Sequence, residues 1–300
     1  MLFLLCIGLS FQKTYGRLSV KNGKIVGKSK AGDPILRGIS LGWDTWWSQY
    51  YNADSINHLV TDFHANIIRA AIGIEPSGGY LENKQKALTN LYAAVDASLA
   101  QGVYVIIDFH AHQVHTAEAK EFFTTVATKY AGNELIIYEI FNEPESATWS
   151  EIKTYATDVI KTIRAIDPDN LILVPTPQWD QLIDQAASDP LTGFDNIAYT
   201  LHFYAGTHGQ SFRDRGQKAV DAKLAVFISE SGAMNADGDG SLNKNEFENW
   251  INWAETNNIP WVVWCLESKA ESASILPATG GWAQLTEWGT YIKALITKYQ

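Results

Sequence analysis

Cysteine is scarce in this sequence: 300 residues contain two, Cys6 and Cys265. A fold held together by several disulfide bonds is therefore excluded. A chain of this length does not need one, because it can bury a large apolar core. The sequence also offers no glycine-rich phosphate motif, which argues against nucleotide binding, and we expect no serine nucleophile elbow.

Positive charge is sparse and scattered. Lys and Arg total 23 against 33 Asp and Glu, so the formal net charge is −10 at pH 7, and basic residues form no run. Nucleic acids and anionic membrane surfaces attract proteins through such runs, so we expect neither as a partner. A neutral polymer would experience no repulsion from this chain.

One apolar run, Met1 to Ser10, opens the chain, and it is too short to span a bilayer. It resembles the apolar region of a secretory signal peptide, although no positive residue precedes it. We therefore expect residues 1–16 to be a signal peptide, with cleavage near Gly16, and the protein to be secreted and extracellular. The alternative is an N-terminal strand packed on the main fold.

Apolar runs typical of strands alternate with helical spacing of apolar residues along the rest of the chain. The predicted strands are Ile35–Ser40, Ile67–Ala71, Val103–Phe109, Leu135–Phe141, Leu171–Val174, Ile197–Phe203, Ala225–Ser229 and Trp261–Leu266. The predicted helices are Ala53–Phe63, Lys84–Gln101, Ala117–Tyr130, Trp149–Ile166, Phe247–Asn257 and Glu287–Tyr299, with Asp54 and Ser150 as helix starts.

Eight strands that alternate with helices predict an α/β fold with a parallel sheet, and eight is the number that closes a barrel. We therefore expect a (β/α)8 TIM barrel as a single catalytic domain over residues 17–300, since no linker or repeat divides the chain. Asn22-Gly23 favours a type I′ turn, which predicts a short N-terminal β-hairpin over Leu18 to Val26 that covers one end of the barrel.

Two predicted strands lead into a glutamate. The run ELIIYEIFNEPE reads as a buried strand that must end before Pro144, which leaves Asn142 and Glu143 at its exit. Ala225–Ser229 leads directly into Glu230. Catalytic groups sit at the carboxyl ends of barrel strands, and two carboxylates there suggest hydrolysis of a glycosidic bond. Structural ion pairing is the alternative for either glutamate.

Other polar or aromatic side chains follow the apolar runs in the same way. They are Arg69, His110, Asn142, His202, Tyr204 and Trp264. A simple core would not require such groups at so many strand ends. We therefore expect them to line one pocket together with the two glutamates.

Two motifs in the sequence could bind a metal ion instead of forming part of a two-carboxylate site. His110-x-His112, with His115 nearby, would suit a metal-dependent hydrolase, but the later strands supply His202 and no suitably placed Asp. Asp237 to Glu248 has the length of a calcium loop, but its sixth position is Leu242 where glycine is required. A solvated turn is the better interpretation, and we expect no metal and no cofactor.

These motifs resemble glycoside hydrolase family 5, in particular the subfamily 2 endo-β-1,4-glucanases of bacteria and invertebrates. The resemblance runs from about Val20 to the C-terminus and is carried by IIRAAIG, SGGYLEN, VYVIIDFHAH, IIYEIFNEP, IRAIDPDNLILV, AYTLHFYAGTHGQS and ESKAES. It implies a retaining cellulase, with Glu143 as the acid/base and Glu230 as the nucleophile.

The resemblance also implies the surrounding site, a β-1,4-glucan as substrate and a monomeric enzyme. The catalytic surroundings would be Arg69, His110, Asn142, His202 and Tyr204, and the sugar contacts Trp46, Trp179, Trp264, Lys269 and Glu271.

Three positions depart from the family pattern. Ser231 follows the nucleophile where Trp is usual, Phe109 stands where Trp commonly precedes the histidine, and Gly42 stands where some members carry His. Two alternatives to a glucanase stay open. One is a β-mannanase or xyloglucanase with the same carboxylates, and the other is a carbohydrate-binding protein that has lost catalytic power.

Overall fold

The computed structural model describes residues 15–29 and 35–299. Residues 1–14 of the predicted signal peptide, with Cys6, lie outside this part, and the signal peptide stays a prediction. The described chain contains no helix long and apolar enough to cross a bilayer.

The chain folds into twelve strands and ten helices over the described residues. The strands are β1 (Tyr15–Lys21), β2 (Lys24–Ser29), β3 (Arg37–Leu41), β4 (Ile67–Gly73), β5 (Tyr104–His110), β6 (Ile136–Glu139), β7 (Leu171–Val174), β8 (Ile197–Thr200), β9 (Phe203–Tyr204), β10 (Val226–Phe227), β11 (Ser231–Gly232) and β12 (Trp261–Leu266). The helices are α1 (Asp44–Trp47), α2 (Ala53–Thr61), α3 (Lys84–Ala100), α4 (Thr116–Tyr130), α5 (Trp149–Arg164), α6 (Pro177–Asp180), α7 (Ile183–Ser188), α8 (Gln210–Asp221), α9 (Lys244–Asn257) and α10 (Glu287–Lys298).

Eight of the strands form one parallel sheet in the order β10-β8-β7-β6-β5-β4-β3-β12. The sheet closes between its two edge strands. The Ile228 N–H donates to Pro260 O at 3.0 Å, and the Val262 N–H donates to Ile228 O at 2.8 Å. The predicted (β/α)8 barrel is therefore confirmed.

The strands are buried on both faces, as their continuous apolar composition predicts. Every residue of β4 and β5 is buried. One apolar cluster fills the barrel interior and includes Ile67, Ile106 and Val262, while a larger one lies between the strands and the surrounding helices.

The predicted N-terminal hairpin is confirmed by the antiparallel pairing of β1 with β2. Asn22 and Gly23 have φ values of 52° and 73°, as a type I′ turn requires. Leu18 and Ile25 join the interior cluster, and the Tyr104 hydroxyl donates to Gly16 O. The hairpin therefore closes the end of the barrel opposite the carboxyl ends of the strands.

Several strands are shorter than the sequence predicts, among them β6, β8 and β10. The run Ile197–Phe203 is divided into β8 and β9, because the His202 N–H leaves the ladder and donates to Asp180 O at 3.3 Å.

Helix α8 was missed because its buried face carries Arg213, Gly216 and Ala219 instead of large apolar residues.

The predicted helix starts also need correction. Helix α5 is capped by Thr148, whose hydroxyl accepts from the Glu151 N–H while the Glu151 carboxylate accepts from the Thr148 N–H. Ser150 lies inside the helix. Helix α2 is capped by Asn52, not by Asp54. Each cap lies two residues upstream of the predicted start, where backbone N–H groups need a side-chain acceptor.

The Thr148 cap leads to a test of the fold. Replacing Thr148 with Ala should lower the free energy of unfolding by about 1 kcal/mol, because first-turn N–H groups lose their acceptor. Ser150→Ala is the matched control and should be close to neutral, since Ala has the higher helix propensity. Urea denaturation followed by circular dichroism measures both. Equal losses in the two variants would contradict this assignment of the cap.

Candidate active site

The carboxyl ends of the barrel strands bring the two predicted glutamates together. An oxygen of Glu143 and an oxygen of Glu230 lie within 4.8 Å of each other, with a His202 ring nitrogen within the same distance. Retaining glycosidases hold their carboxyl groups about 5–5.5 Å apart, and inverting ones about 6.5–9.5 Å. The pair therefore has the shorter, retaining spacing.

Glu143 is positioned by the backbone that follows β6. The Asn142 N–H donates to Phe109 O at 3.1 Å, and the Glu143 N–H donates to Ala111 O at 3.1 Å. These bonds tie the Asn-Glu-Pro segment to the end of β5, while Pro144 cannot extend the ladder. The acid side chain therefore projects from a fixed turn into the mouth of the barrel.

Glu230 lies deeper, with 5% of its surface exposed. One carboxylate oxygen accepts from Arg69 Nη1 at 2.8 Å, and the other accepts from the Tyr204 hydroxyl at 2.6 Å. Both donors favour the ionised carboxylate. Burial and the nearby charge of Glu143 act in the opposite direction and raise the pKa of Glu230 above its usual value.

Arg69 is fully buried and connects several strand ends. Its guanidinium donates to Glu139 at 2.6 Å and to Asn142 Oδ1 at 2.6 Å, and it forms an ion pair with Asp108 at 2.9 Å. Sequence reasoning missed Asp108 and Glu139. The available signal was an acidic residue inside each of two apolar strands, because a buried carboxylate requires a partner.

Glu143 is hydrogen-bonded to His202. Nδ1 of His202 lies 2.8 Å from Glu143 Oε1, and Nε2 lies 2.8 Å from the Ser229 hydroxyl. His112, which was predicted only as a possible metal ligand, lies 3.6 Å from the second oxygen of Glu143. The hydrogen bond between His202 Nδ1 and Glu143 Oε1 contains one proton, which is located either on the imidazole or on the carboxyl group.

The electrostatics of this couple place the proton on the imidazole in the free protein. Burial works to raise the pKa of Glu143, but hydrogen bonds from His112 and His202 outweigh it and lower the pKa to about 2. Burial works to lower the pKa of His202, but the carboxyl groups of Asp180, Glu139 and Glu143 raise it well above its usual value. Moving this proton to Glu143 leaves the total charge unchanged.

The remaining predicted residues surround the carboxylates. Nδ1 of His110 lies 2.6 Å from Asp108 Oδ2, and burial and the charge of Arg69 lower the His110 pKa. The Trp264 ring is parallel to the His110 ring, with centroids 5.4 Å apart. Lys269 forms an ion pair with Glu271 at the edge of the site.

The site opens into a groove with two halves that meet at Glu143, Tyr204 and Glu230. The first half has a volume of about 590 Å³, and its lining includes Trp43, Trp46, Trp47, Trp264, Glu267, Lys269 and Glu271. The second half has a volume of about 540 Å³, and its lining includes Trp179, Gln181, His208 and Phe212. All twelve predicted site residues lie in the groove or directly beneath it.

Exposed aromatic rings mark both halves of the groove. Trp46 is 57% exposed in the first half, and Trp179 is 41% exposed in the second. Large apolar side chains at such exposure suit the apolar faces of sugar rings, since a buried role would hide them.

Two of the three departures from the family pattern lie away from the groove. The Ser231 hydroxyl is buried and donates to Val262 O at 2.9 Å, and Phe109 packs against Phe122 and Phe123. At Gly42 an added Cβ would lie 3.2 Å from the Glu267 carboxylate, so Glu267 occupies the neighbouring space.

A Gly-x-Ser-x-Gly pattern is present in the sequence, although it does not form a nucleophile elbow. Residues 38–42 read Gly-Ile-Ser-Leu-Gly, which fits the Gly-x-Ser-x-Gly pattern. The segment runs through β3, and the buried Ser40 hydroxyl donates to Leu41 O at 2.9 Å. It therefore forms a strand interior and not the strand-to-helix elbow of a serine hydrolase.

The histidine-based metal site does not form. His110 pairs with Asp108 and His115 with Glu75, so these imidazoles face separate partners. In the described part of the chain, the one group of three ligand-type side chains with converging atoms is Glu143, His202 and Glu230. The Arg69 guanidinium already neutralises Glu230 there and would repel a cation.

Comparison with known proteins identifies the family of this chain. The family model for cellulase, glycosyl hydrolase family 5, matches residues 28–270. Endoglucanase Z of Dickeya dadantii is 41% identical over 99% of this chain and 70% of that protein. Endoglucanase N of Pectobacterium atrosepticum is 39% identical over 95% of this chain and 66% of that protein.

Solved structures also superpose closely on this chain. A structure from Cytophaga hutchinsonii superposes with a TM-score of 0.90 at 42% identity, over 95% of this chain and 96% of that one. A variant of the Thermobifida fusca endoglucanase Cel5A catalytic domain, solved with cellotetraose, superposes with a TM-score of 0.88 at 29% identity, over 94% and 98% of the two chains. The resemblance read from the sequence is confirmed: the chain belongs to the cellulase family, glycosyl hydrolase family 5.

Proposed function

We propose that this chain is a secreted, monomeric endo-β-1,4-glucanase that hydrolyses internal bonds of cellulose or soluble β-glucan with retention of configuration. The observation that carries the proposal is the pair Glu143 and Glu230, whose oxygens lie within 4.8 Å at the centre of an open groove. The proposed substrate is an uncharged polymer, which the net negative charge of the chain does not repel. Residues 17–300 form the proposed catalytic domain.

In the first step Glu230 is the nucleophile. Its ionised oxygen attacks the anomeric carbon, and the bond to the leaving sugar oxygen breaks as Glu143 supplies a proton. Arg69 and Tyr204 hold the Glu230 carboxylate with two hydrogen bonds, which fix its direction of attack. The product of this step is a glycosyl ester on Glu230 and a released chain with a new hydroxyl group.

In the second step Glu143 acts as a base. It removes a proton from water, which attacks the same carbon and releases Glu230 as a carboxylate. Once Glu230 is esterified its negative charge is absent, so the ionised form of Glu143 becomes easier to reach. Two displacements at one carbon restore the original configuration.

The catalytic proton comes from the hydrogen bond between His202 and Glu143. When the substrate covers Glu143 and excludes water, the neutral pair becomes favoured over the ion pair, and the proton moves to the carboxyl group. The Ser229 hydroxyl, 2.8 Å from His202 Nε2, can accept from the neutral imidazole and keep it oriented.

The other groups bind and orient the sugar. Arg69 holds Asn142 Oδ1 at 2.6 Å, so the amide NH2 faces away from Arg69 and lies 3.5 Å from His112 Nε2. We assign this NH2 to the sugar 2-hydroxyl, where a bond strengthens in the transition state. His110 and Trp264 line the first half of the groove with parallel rings, and we assign them as a wall and an aromatic floor for the sugar. The aromatic platforms in both halves allow the polymer to bind across the cut, which suits endo action.

The roles of the two carboxylates can be separated by their variants. Glu143→Gln and Glu230→Gln should each reduce hydrolysis of carboxymethylcellulose by at least about 10²-fold while glucan binding remains. Glu143→Gln alone should still release a rapid burst of dinitrophenol from a dinitrophenyl cellobioside, because that leaving group needs no proton. Its steady-state turnover should be slow, because the base of the second step is missing.

Reducing-sugar assays measure the rates, and NMR of the first-formed anomer measures the stereochemistry. Mannan and xyloglucan assayed in parallel test the substrate class, and wild-type binding without turnover would support a carbohydrate-binding protein instead. An α-anomer as the first product, or full activity in either variant, would overturn the proposal.

The pH profile tests the environment of the nucleophile. Tyr204→Phe removes a 2.6 Å hydrogen bond from Glu230, which favours its ionised form. The pKa of Glu230 should rise, so the acidic limb of kcat/KM should move to higher pH. The rate at the optimum should fall roughly tenfold, since hydrogen bonds to charged groups contribute about 1.5–3 kcal/mol. An unchanged acidic limb would show that another group controls it.

The exposed tryptophans should affect binding more than chemistry. Trp46→Ala and Trp179→Ala should raise KM for long cello-oligosaccharides several-fold, because each ring offers a large apolar face for stacking. The kcat for a short aryl cellobioside should stay close to wild type. Val114→Ala is the matched control, an apolar side chain that is 43% exposed and is absent from the groove lining. Equal effects of all three changes would exclude the platforms.

A further inference from the structure

A strained turn lies beside the proposed acid/base. The turn is the segment labelled α6. Its residues Gln178, Trp179 and Asp180 have φ values of 53°, 54° and 58°, which lie in the left-handed region that non-glycine residues rarely adopt. Such residues are energetically unfavourable and persist where the surrounding structure holds them in place. The turn therefore requires specific contacts that compensate for the strain.

Its backbone connects the two members of the proton-sharing couple. The Trp179 N–H donates to Pro144 O at 3.0 Å, next to Glu143. Asp180 O accepts from the His202 N–H at 3.3 Å. The left-handed turn is therefore attached both to the segment that carries the acid and to the residue that shares its proton.

The Asp180 side chain is fully buried and only partly satisfied. Its Oδ1 accepts from the Thr200 hydroxyl at 2.7 Å and from the Thr176 N–H. Its Oδ2 accepts no hydrogen bond from the described residues and lies 3.6 Å from His202 Nδ1. That nitrogen is the one bonded to Glu143, so a second carboxyl group faces the shared proton.

We infer that Asp180 is a positioning residue of the proposed reaction. Its carboxyl group controls how firmly the His202–Glu143 couple retains the proton that Glu143 delivers to the leaving oxygen. The inference rests on the proposed role of Glu143, and Asp180 itself touches no reacting atom.

The charge of Asp180 determines the direction of the effect. An ionised Asp180 stabilises the protonated couple, so the couple loses its proton at higher pH. The other acid groups around His202 are Glu139, Glu143 and Glu230, and the imidazolium is the cation that Asp180 faces. Burial raises the pKa of Asp180 to about 8 against the attraction of His202. Asp180 is therefore neutral at lower pH, where it leaves the couple unaffected.

The test compares the pH dependence of kcat/KM in Asp180→Asn and in wild type on carboxymethylcellulose. We expect the two profiles to coincide on the acidic side and to separate on the alkaline side. Asp180 is ionised above about pH 8, so the alkaline limb of the variant should lie lower than that of the wild type by about one pH unit or more, because an opposite charge at this distance shifts a pKa by about 1–3 units. KM should change little, since Asp180 lies outside the groove lining.

Two further variants keep the result decisive. Asp184→Asn, on α7 and paired with Lys218, is the matched control and should retain the wild-type profile. Thr200→Val removes one donor to the Asp180 carboxylate without changing the turn. It should shift the alkaline limb in the same direction by a smaller amount, and it decides the matter if Asp180→Asn does not fold.

An unshifted alkaline limb in a folded Asp180→Asn variant would overturn the inference. So would a uniform loss of activity at every pH, because that result indicates a structural role for the turn. Neither result touches the proposed function, which fails separately if Glu143→Gln keeps full activity on carboxymethylcellulose.

Discussion

The buried guanidinium of Arg69 is the interaction on which the site depends. It contacts Asp108, Glu139 and Glu230 and also holds Asn142 Oδ1, so one cation joins groups from several strands. Burying these carboxylates without it would be prohibitive, because an unpaired buried charge costs several kcal/mol. The planar guanidinium also makes these contacts in different directions at once, which a lysine ammonium could not reproduce. Charge pairing and catalytic geometry therefore have the same cause.

The barrel and the site obey different constraints. Strand interiors such as Leu171–Val174 are apolar and fully buried, and their packing explains the closed sheet without reference to function. The groups that do not fit this scheme cluster at the carboxyl ends, where Arg69, Asp108 and Glu139 are completely buried. The left-handed turn at Gln178–Asp180 places the buried carboxyl group of Asp180 3.6 Å from His202 Nδ1. Departures from good packing thus mark the site independently of any motif.

Sequence reasoning succeeded where periodicity and strand-end chemistry agree. The eight strands and the meeting of Glu143 with Glu230 follow from apolar runs that stop at polar residues, and the hairpin follows from the Asn22-Gly23 turn. It failed where tertiary contacts decide. Helix α8 has no apolar stripe, and Ser150 lies two residues past the real cap. Asp180 was not predicted, since the distance of its side chain to His202 depends on a backbone conformation that composition does not reveal.

The excess of acid groups at the site has a chemical consequence. The carboxyl groups of Asp108, Glu139, Glu143, Asp180 and Glu230 surround one guanidinium and one imidazole. Such a cluster cannot be fully ionised at neutral pH, because each further negative charge raises the pKa of the rest. Protons are therefore retained within a water-poor site, and one of them lies in the His202–Glu143 hydrogen bond. The electrostatic crowding that makes this region costly to fold thus retains a proton for the proposed general acid at a pH where an isolated glutamate would be ionised.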